Sequence, residues 1–380
     1  LHSNAHFIAN EEGAVDLAQS PSVGGSFKGL FPSGLLSVAS EITSSQPTSL
    51  KYDTQKAIKI KISLQEGHRT IGEEKWVRES LHLERRFMSP GVRRIPVKEG
   101  RVRGVLFLPE GNGPFPGVID MFGATPVPNE TRAALNASRG IASLYLPYFK
   151  YDDIPYNKLF NLDLEYFEEA LQYLLAQPTV IPQRCGLIVN CYAVFLGFMM
   201  TSYFKEIKAA VFVNGPAKTP MSELSFRGKL INEPCVGEGH YFDEINDLYY
   251  PNEEFIHITS VVDKTLMDTA LRSNNCKFLI PVSGADTFQF YRVWNNLMNV
   301  LPSELARNFT LKIYPRAGHF IHPPNSPFLL STEIPIWSKV SDEKLIVPLH
   351  FGGHTLETYN MQAEVWKDSH QFITTHLQTS

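Results

Sequence analysis

The sequence predicts an α/β fold, a mostly parallel sheet with helices on both faces, preceded by an all-β sandwich-like domain. Two observations carry this. From residue 89 to 380, apolar runs of strand length alternate with segments of helical periodicity, the pattern of repeated strand–helix units. Residues 1–88 lack that alternation. Their short apolar runs are separated by Gly, Ser, Pro and Asn clusters such as Pro21-Ser22-Val23-Gly24-Gly25-Ser26.

In the first region, Ala57 to Leu64 alternates apolar and polar residues with period two, the mark of a half-buried strand. No segment there reads as a helix, and Ser40 to Ser49 reads as an exposed loop. The simpler alternative is a strand-rich extension of the main sheet. From Ser89 onward, strands are expected at Val102–Pro109, Gly117–Phe122, Ala142–Leu146, Gly186–Asn190, Ala209–Asn214, Cys276–Val282 and Phe309–Tyr314, the last clear one. Asp163 to Leu175 places Leu164, Phe167, Leu171 and Leu174 on one helical face, and an apolar helix follows from Ala193 to Phe204.

Composition narrows the function. A chain of 380 residues has room for two domains, and 43% hydrophobic with 19% charged residues is ordinary for a globular protein. A net charge of −4 argues against nucleic acid or an acidic membrane surface as partner. Cys185, Cys191, Cys235 and Cys276 form no C-x-x-C pair, so free thiols in a reducing compartment are expected. No apolar stretch reaches the length of a transmembrane helix. The start at Leu1 leaves room for a preceding leader or strand, and the C-terminal Leu-Gln-Thr-Ser is not a peroxisomal address. Asn129, Asn136 and Asn308 match the short glycosylation pattern and are read as chance matches.

The strand Gly186–Asn190 runs straight into Cys191, and a helix begins at once. This is the position of the nucleophile in the α/β-hydrolase fold, on the tight turn written G-x-S-x-G. Here the turn reads Val189-Asn190-Cys191-Tyr192-Ala193, a thiol in place of the hydroxyl and neither glycine kept. The strand to Val282 is followed by Ser283-Gly284-Ala285-Asp286, and the strand to Tyr314 by Pro315-Arg316-Ala317-Gly318-His319. The order nucleophile, acid, histidine is the one that fold requires, and all three residues follow the carboxyl ends of strands, where sites of open α/β sheets form.

His319 is thereby the candidate base, Asp286 the group that orients it, and Cys191 the candidate nucleophile. The backbone N–H groups of Tyr192 and of Gly123, after Met121-Phe122, are the candidate oxyanion donors. Taken singly, each residue has a plainer reading: an inert core thiol, a turn aspartate and a loop histidine. The pairs His319/His322 and His350/His354 have metal-compatible spacing, but no second cluster completes a ligand set, so no metal is expected.

Several longer stretches are also distinctive: Gly24-Gly25-Ser26-Phe27-Lys28-Gly29-Leu30, Pro90-Gly91-Val92-Arg93-Arg94, Arg101 to Pro109, Pro114 to Gly123, Leu164 to Ala170, Tyr314 to His319, and the tail around Trp366. Together they resemble the type I acyl-CoA thioesterases and bile acid-CoA:amino acid N-acyltransferases over nearly the whole chain. The resemblance implies a β domain, 1–88, on an α/β-hydrolase domain, 89–380, with Cys191, Asp286 and His319 at the family's triad positions. It implies acyl-CoA as substrate with no cofactor, and a cytosolic or peroxisomal enzyme. Thioesterases of the family carry Ser at the nucleophile position and the acyltransferases carry Cys. Cys191 therefore points to transfer of a bile-acid or fatty acyl group to glycine or taurine, with acyl-CoA hydrolysis or mere acyl-CoA binding as alternatives. A thiol hydrolase acting on lactones is a more distant one.

Two departures bear on the site. The family's Gly-rich loop is replaced by Ala124-Thr125-Pro126-Val127-Pro128, in which proline has no N–H to donate. Val189 is expected to crowd the turn where glycine is preferred.

Overall fold

Near-continuous runs of Val, Ile, Leu and Phe suit strands buried on both faces, and such runs supply the inner strands of the eight-stranded central sheet in the computed structural model. In chain order the eight are β1 (Arg93–Glu99), β2 (Val102–Leu108), β3 (Gly117–Met121), β4 (Ala142–Tyr145), β5 (Cys185–Asn190), β6 (Ile207–Val213), β7 (Lys277–Ser283) and β8 (Phe309–Tyr314). Their spatial order is β1-β2-β4-β3-β5-β6-β7-β8. The first two are antiparallel to each other, and β2 is antiparallel to β4; every later pairing is parallel. The structure describes residues 1–39, 53–67, 76–124, 129–235, 241–326, 331–337 and 344–378.

Helices cover both faces, and the strand periodicity of two shows which residue meets which helix. Leu187 and Val189 of β5, Phe212 of β6, and Phe278 and Ile280 of β7 pack with α2 (Leu164–Leu175), α3 (Ala193–Tyr203) and α4 (Tyr291–Val300). The residues between them, Ile188, Val211 and Leu279, face the other way, onto Met361, Val365 and Ile373 of the C-terminal helix α5 (Thr355–Gln378). On that second face Ala133, Ala134 and Ala137 of α1 (Thr131–Ala137) close over Val105 and Phe107. Helix α3 is buried on nearly every side, as an all-apolar helix must be. Asp163 caps α2 by accepting from the Tyr166 N–H.

Four features depart from the sequence reading. A four-residue helix, Gly34–Ser37, lies in the region expected to be free of helix. Gly24–Gly25, within a cluster expected to separate apolar runs, pairs as a short strand with Ala5–His6. Two further strands, Ser331–Trp337 and Lys344–His350, follow the one taken as last, and they pair antiparallel. Pro335 and Pro348 lie within them, and proline inside an apolar run argues against a strand unless it lies at an edge or its N–H is not needed. Two small sheets form apart from the central one: Asn161–Asp163 with Glu223–Phe226 and Lys229–Asn232, and Phe242–Ile245 with Leu248–Pro251 and the two late strands. The expected loop at Ser40–Ser49 lies outside the described residues, as do Thr125–Pro128.

Candidate active site

Strand β5 ends at Asn190 and α3 begins at Ala193, so the chain must reverse within two residues. Cys191 adopts φ of +51°, a left-handed conformation that a residue with a Cβ enters only when its surroundings hold it there. They do: the Cys191 N–H donates to the Val213 carbonyl at 2.9 Å, and the Cys191 carbonyl accepts from the Val194 N–H at 2.9 Å. The thiol is thereby aimed out of the sheet while its backbone stays anchored to β6.

The turn tolerates Val189 because the missing room is supplied by a neighbour. A Cβ on Gly197, one turn into α3, would lie 3.0 Å from Val189 Cγ2 and 3.1 Å from the Phe212 ring. The expectation that Val189 crowds the turn is thus corrected: its side chain is fully buried against a helix residue that has none. Gly123 makes the other close approach. A Cβ there would sit 2.6 Å from Cys191 Cβ, 2.9 Å from its sulfur and 3.3 Å from the Tyr192 nitrogen. The space that the two candidate oxyanion residues share with the thiol therefore exists only because residue 123 is glycine.

Asp286 and His319 meet the thiol from the ends of β7 and β8. Both are buried, and His319 Nδ1 lies 2.8 Å from Asp286 Oδ2. The other carboxylate oxygen accepts the Phe288 N–H at 3.0 Å, which fixes the carboxylate plane. The His319 ring stacks on Phe351 at 5.3 Å and is flanked by Phe288 and Phe320. Burial opposes the charged imidazole, but Asp286 and Cys191, which also hydrogen-bonds the ring, outweigh it and raise His319 to about 10. The other thiols lie in surroundings that keep their protons. Burial pushes Cys185 up to about 12 and Cys235 to about 11, and Cys276 well above the usual range. All four cysteines are free.

The thiol opens into an apolar cavity of about 90 Å³ walled by Phe122, Phe160, Met221, Phe255, Phe288 and Phe351. Such a space takes a hydrocarbon group and offers few partners to hydroxyls. Among the described residues no three His, Cys, Asp or Glu side chains gather as a metal site, and His322 is engaged otherwise, stacked against Phe122 and Phe320.

Residue patterns alone missed the polar groups behind the thiol. Asn214 donates from Nδ2 to Ser283 Oγ and the His319 carbonyl, both at 2.8 Å, and its Oδ1 accepts the Ser283 N–H at 2.7 Å. It ties the ends of β6 and β7 to the histidine loop. Arg132 of α1 and Asp120 of β3 form a buried ion pair below the same loops. The one signal for it in the sequence is Asp120 itself, a lone charge inside an apolar strand, which requires a partner.

Comparisons with known proteins agree with this architecture. The family described as BAAT / acyl-CoA thioester hydrolase C terminal matches residues 162–379, and the acyl-CoA thioester hydrolase/BAAT N-terminal region matches residues 1–99. This chain belongs to the BAAT and acyl-CoA thioester hydrolase family. The bile acid-CoA:amino acid N-acyltransferase of Mus musculus is 34% identical, the match covering 99% of this chain and 87% of that protein. Acyl-coenzyme A thioesterase 5 of Mus musculus gives the same three figures, 34%, 99% and 87%. The human bile acid-CoA:amino acid N-acyltransferase is also 34% identical, with 99% and 88% covered. The family makes the chain an enzyme, either an acyltransferase or a thioester hydrolase, and its two branches are equally similar to it. Among the described residues, no helix is long and apolar enough to cross a membrane.

Proposed function

We propose that the chain is an acyl-CoA:amino acid N-acyltransferase that carries its acyl group as a thioester on Cys191. The observation that supports this reading over hydrolysis is the thiol itself, held at φ +51° beside His319. An acyl-thioester is attacked by amines far more readily, relative to water, than an oxygen ester is.

The steps balance as a ping-pong exchange. His319 takes the Cys191 proton, and the thiolate adds to the acyl-CoA carbonyl. The N–H groups of Tyr192 and Gly123 hold the oxyanion. The bond to the CoA sulfur then breaks, and His319 returns its proton to the leaving thiolate. A neutral amine, such as that of glycine or taurine, next adds to the Cys191 thioester while His319 removes its proton. The amide leaves, and the Cys191 thiolate recovers the proton from His319. Asp286 keeps the imidazole in the required tautomer throughout. No cofactor enters these steps. The apolar, aromatic lining of the cavity supports a fatty acyl group over a hydroxylated steroid.

Acyl-CoA hydrolysis is the second reading, because thioesterases stand among the relatives at the same 34% identity. Intact-mass analysis separates the two. The protein is mixed with a fatty acyl-CoA or a bile acyl-CoA, with and without glycine or taurine, beside Cys191→Ala. An adduct on the unaltered protein alone, discharged faster by amine than by buffer, is the expected result. Equal discharge without amine favours the thioesterase, and no adduct with no CoA release overturns both.

A further inference from the structure

We propose that Arg132 is a positioning residue that sets the oxyanion loop against the nucleophile turn. Its guanidinium is buried; it grips the ends of two strands and, through Asn190, the histidine loop. Nε and Nη2 donate to the two Asp120 oxygens at 2.6 and 3.0 Å, a bidentate pair. Nη2 also donates to the Met121 carbonyl at 3.0 Å and to the Ile188 carbonyl at 2.8 Å, spanning the ends of β3 and β5. Nη1 donates to Asn190 Oδ1, and Asn190 Nδ2 donates onward to the Ile321 carbonyl at 3.2 Å.

The residues gripped stand next to the chemistry. Met121 precedes Phe122 and Gly123, Asn190 precedes Cys191, and Ile321 is two residues past His319. The guanidinium also lies over the Phe122 ring, 5.9 Å from its centre. From the far side, the Tyr148 hydroxyl donates to the Phe122 carbonyl at 3.0 Å, so the root of the loop is held at both ends. One planar group thus fixes the separation between the oxyanion loop, the nucleophile turn and the histidine loop.

A buried ion pair is a poor source of stability, since desolvation offsets most of its attraction. What it does supply is fixed geometry, and a guanidinium with five donors in a rigid fork can span sites that an ammonium cannot. Here that geometry is the distance from Cys191 to the N–H groups across from it. With Pro126 and Pro128 in the loop, two potential donors are absent from the sequence, so placement of the donors that remain matters more.

The inference rests on Cys191 being the acylated residue, but its test does not require acyl-CoA. Cys191 is acetylated with p-nitrophenyl acetate, which develops an oxyanion, and alkylated with iodoacetamide, which does not. Both are followed by mass at the Cys191 peptide in unaltered protein, Arg132→Lys and Asn190→Leu. The expected result is about a 100-fold slower acetylation in Arg132→Lys, the scale of losing one oxyanion donor, with alkylation changed less than about threefold. Asn190→Leu, which cuts only the Arg132–Asn190–Ile321 link, should show a smaller loss of the same kind.

Acetylation unchanged in both variants overturns the proposal, and so does an equal fall in acetylation and alkylation. If Arg132→Lys fails to fold, the ratio of the two rates in Asn190→Leu decides alone. Unaltered protein that is acetylated at Cys191 but never by acyl-CoA sinks the acyltransferase reading, and the rate ratio still decides the role of Arg132. Unaltered protein inert to p-nitrophenyl acetate overturns both.

Discussion

In the proposed mechanism, a thiol and a hydroxyl at residue 191 lead to different second halves of the same reaction. Cys191→Ser keeps the volume of the nucleophile nearly constant but makes the intermediate an oxygen ester. Its expected outcome is a fall of at least about tenfold in the ratio of amide to free acid, measured by product analysis at fixed glycine or taurine. Asp286→Asn keeps the shape of the orienting group but inverts its hydrogen bonding to Nδ1, and kcat should fall by about 10⁴-fold with the fold retained. Cys191→Ala removes one of the two groups that raise His319, leaving Asp286 against burial, so the imidazole should titrate well below about 10 by histidine NMR. At this scale the convergence of Cys191, Asp286 and His319 was legible because each follows a strand end in an order only one fold uses. Arg132 and Asn214 were not, because a charge or an amide in a sequence does not name its partners.

Whole elements were legible wherever burial wrote a period into the chain. Strands β5 to β8 and helices α2 and α3 stand within a residue or two of where their apolar runs placed them. The late pair Ser331–Trp337 and Lys344–His350 was hidden by proline, and Gly34–Ser37 is too short to show a helical face. The nucleophile turn teaches a related point. Motif glycines are really requirements for space, and space can be supplied from another element, as Gly197 supplies it to Val189. Gly197→Ala gains about 1 kcal/mol in helix propensity but forces a Cβ to within 3.0 Å of Val189 Cγ2, and overpacking of this kind costs about 1–3 kcal/mol. Urea denaturation should show a net loss. Val189→Ala with Gly197→Ala should recover stability relative to the sum of the single changes, the coupling expected of residues in contact.

For the whole molecule, the parallel sheet and its two covered faces followed from alternation, whereas the small sheets did not, since their strands are three or four residues long in places and few of those residues are buried. Phe242 and Leu349 from these strands join the aromatic side chains in walling the site with apolar groups, and that environment has a consequence at the scale of global stability. Two histidines beside the cavity are pushed in opposite directions. Burial and then Arg132 lower His322 to about 4, while Asp286 and Cys191 carry His319 against burial to about 10. An unfolded chain would titrate both near about 6.5. Between about 4 and 6.5 the unfolded state binds the extra proton at His322, so the stability due to its neutral form is complete above 6.5 and lost as pH falls. Between about 6.5 and 10 the folded state binds the extra proton at His319, so that contribution is complete below 6.5 and lost as pH rises. The two terms meet in a stability maximum near the middle of that range. Thermal denaturation from pH 4 to 10 should show His322→Phe, which keeps the stack on Phe122 and Phe320, flattening only the acid limb, and His319→Gln flattening only the alkaline one. Equal curves for all three proteins would mean that neither ring is held in the charge state its surroundings favour, and the thiol would then lack the imidazolium beside it.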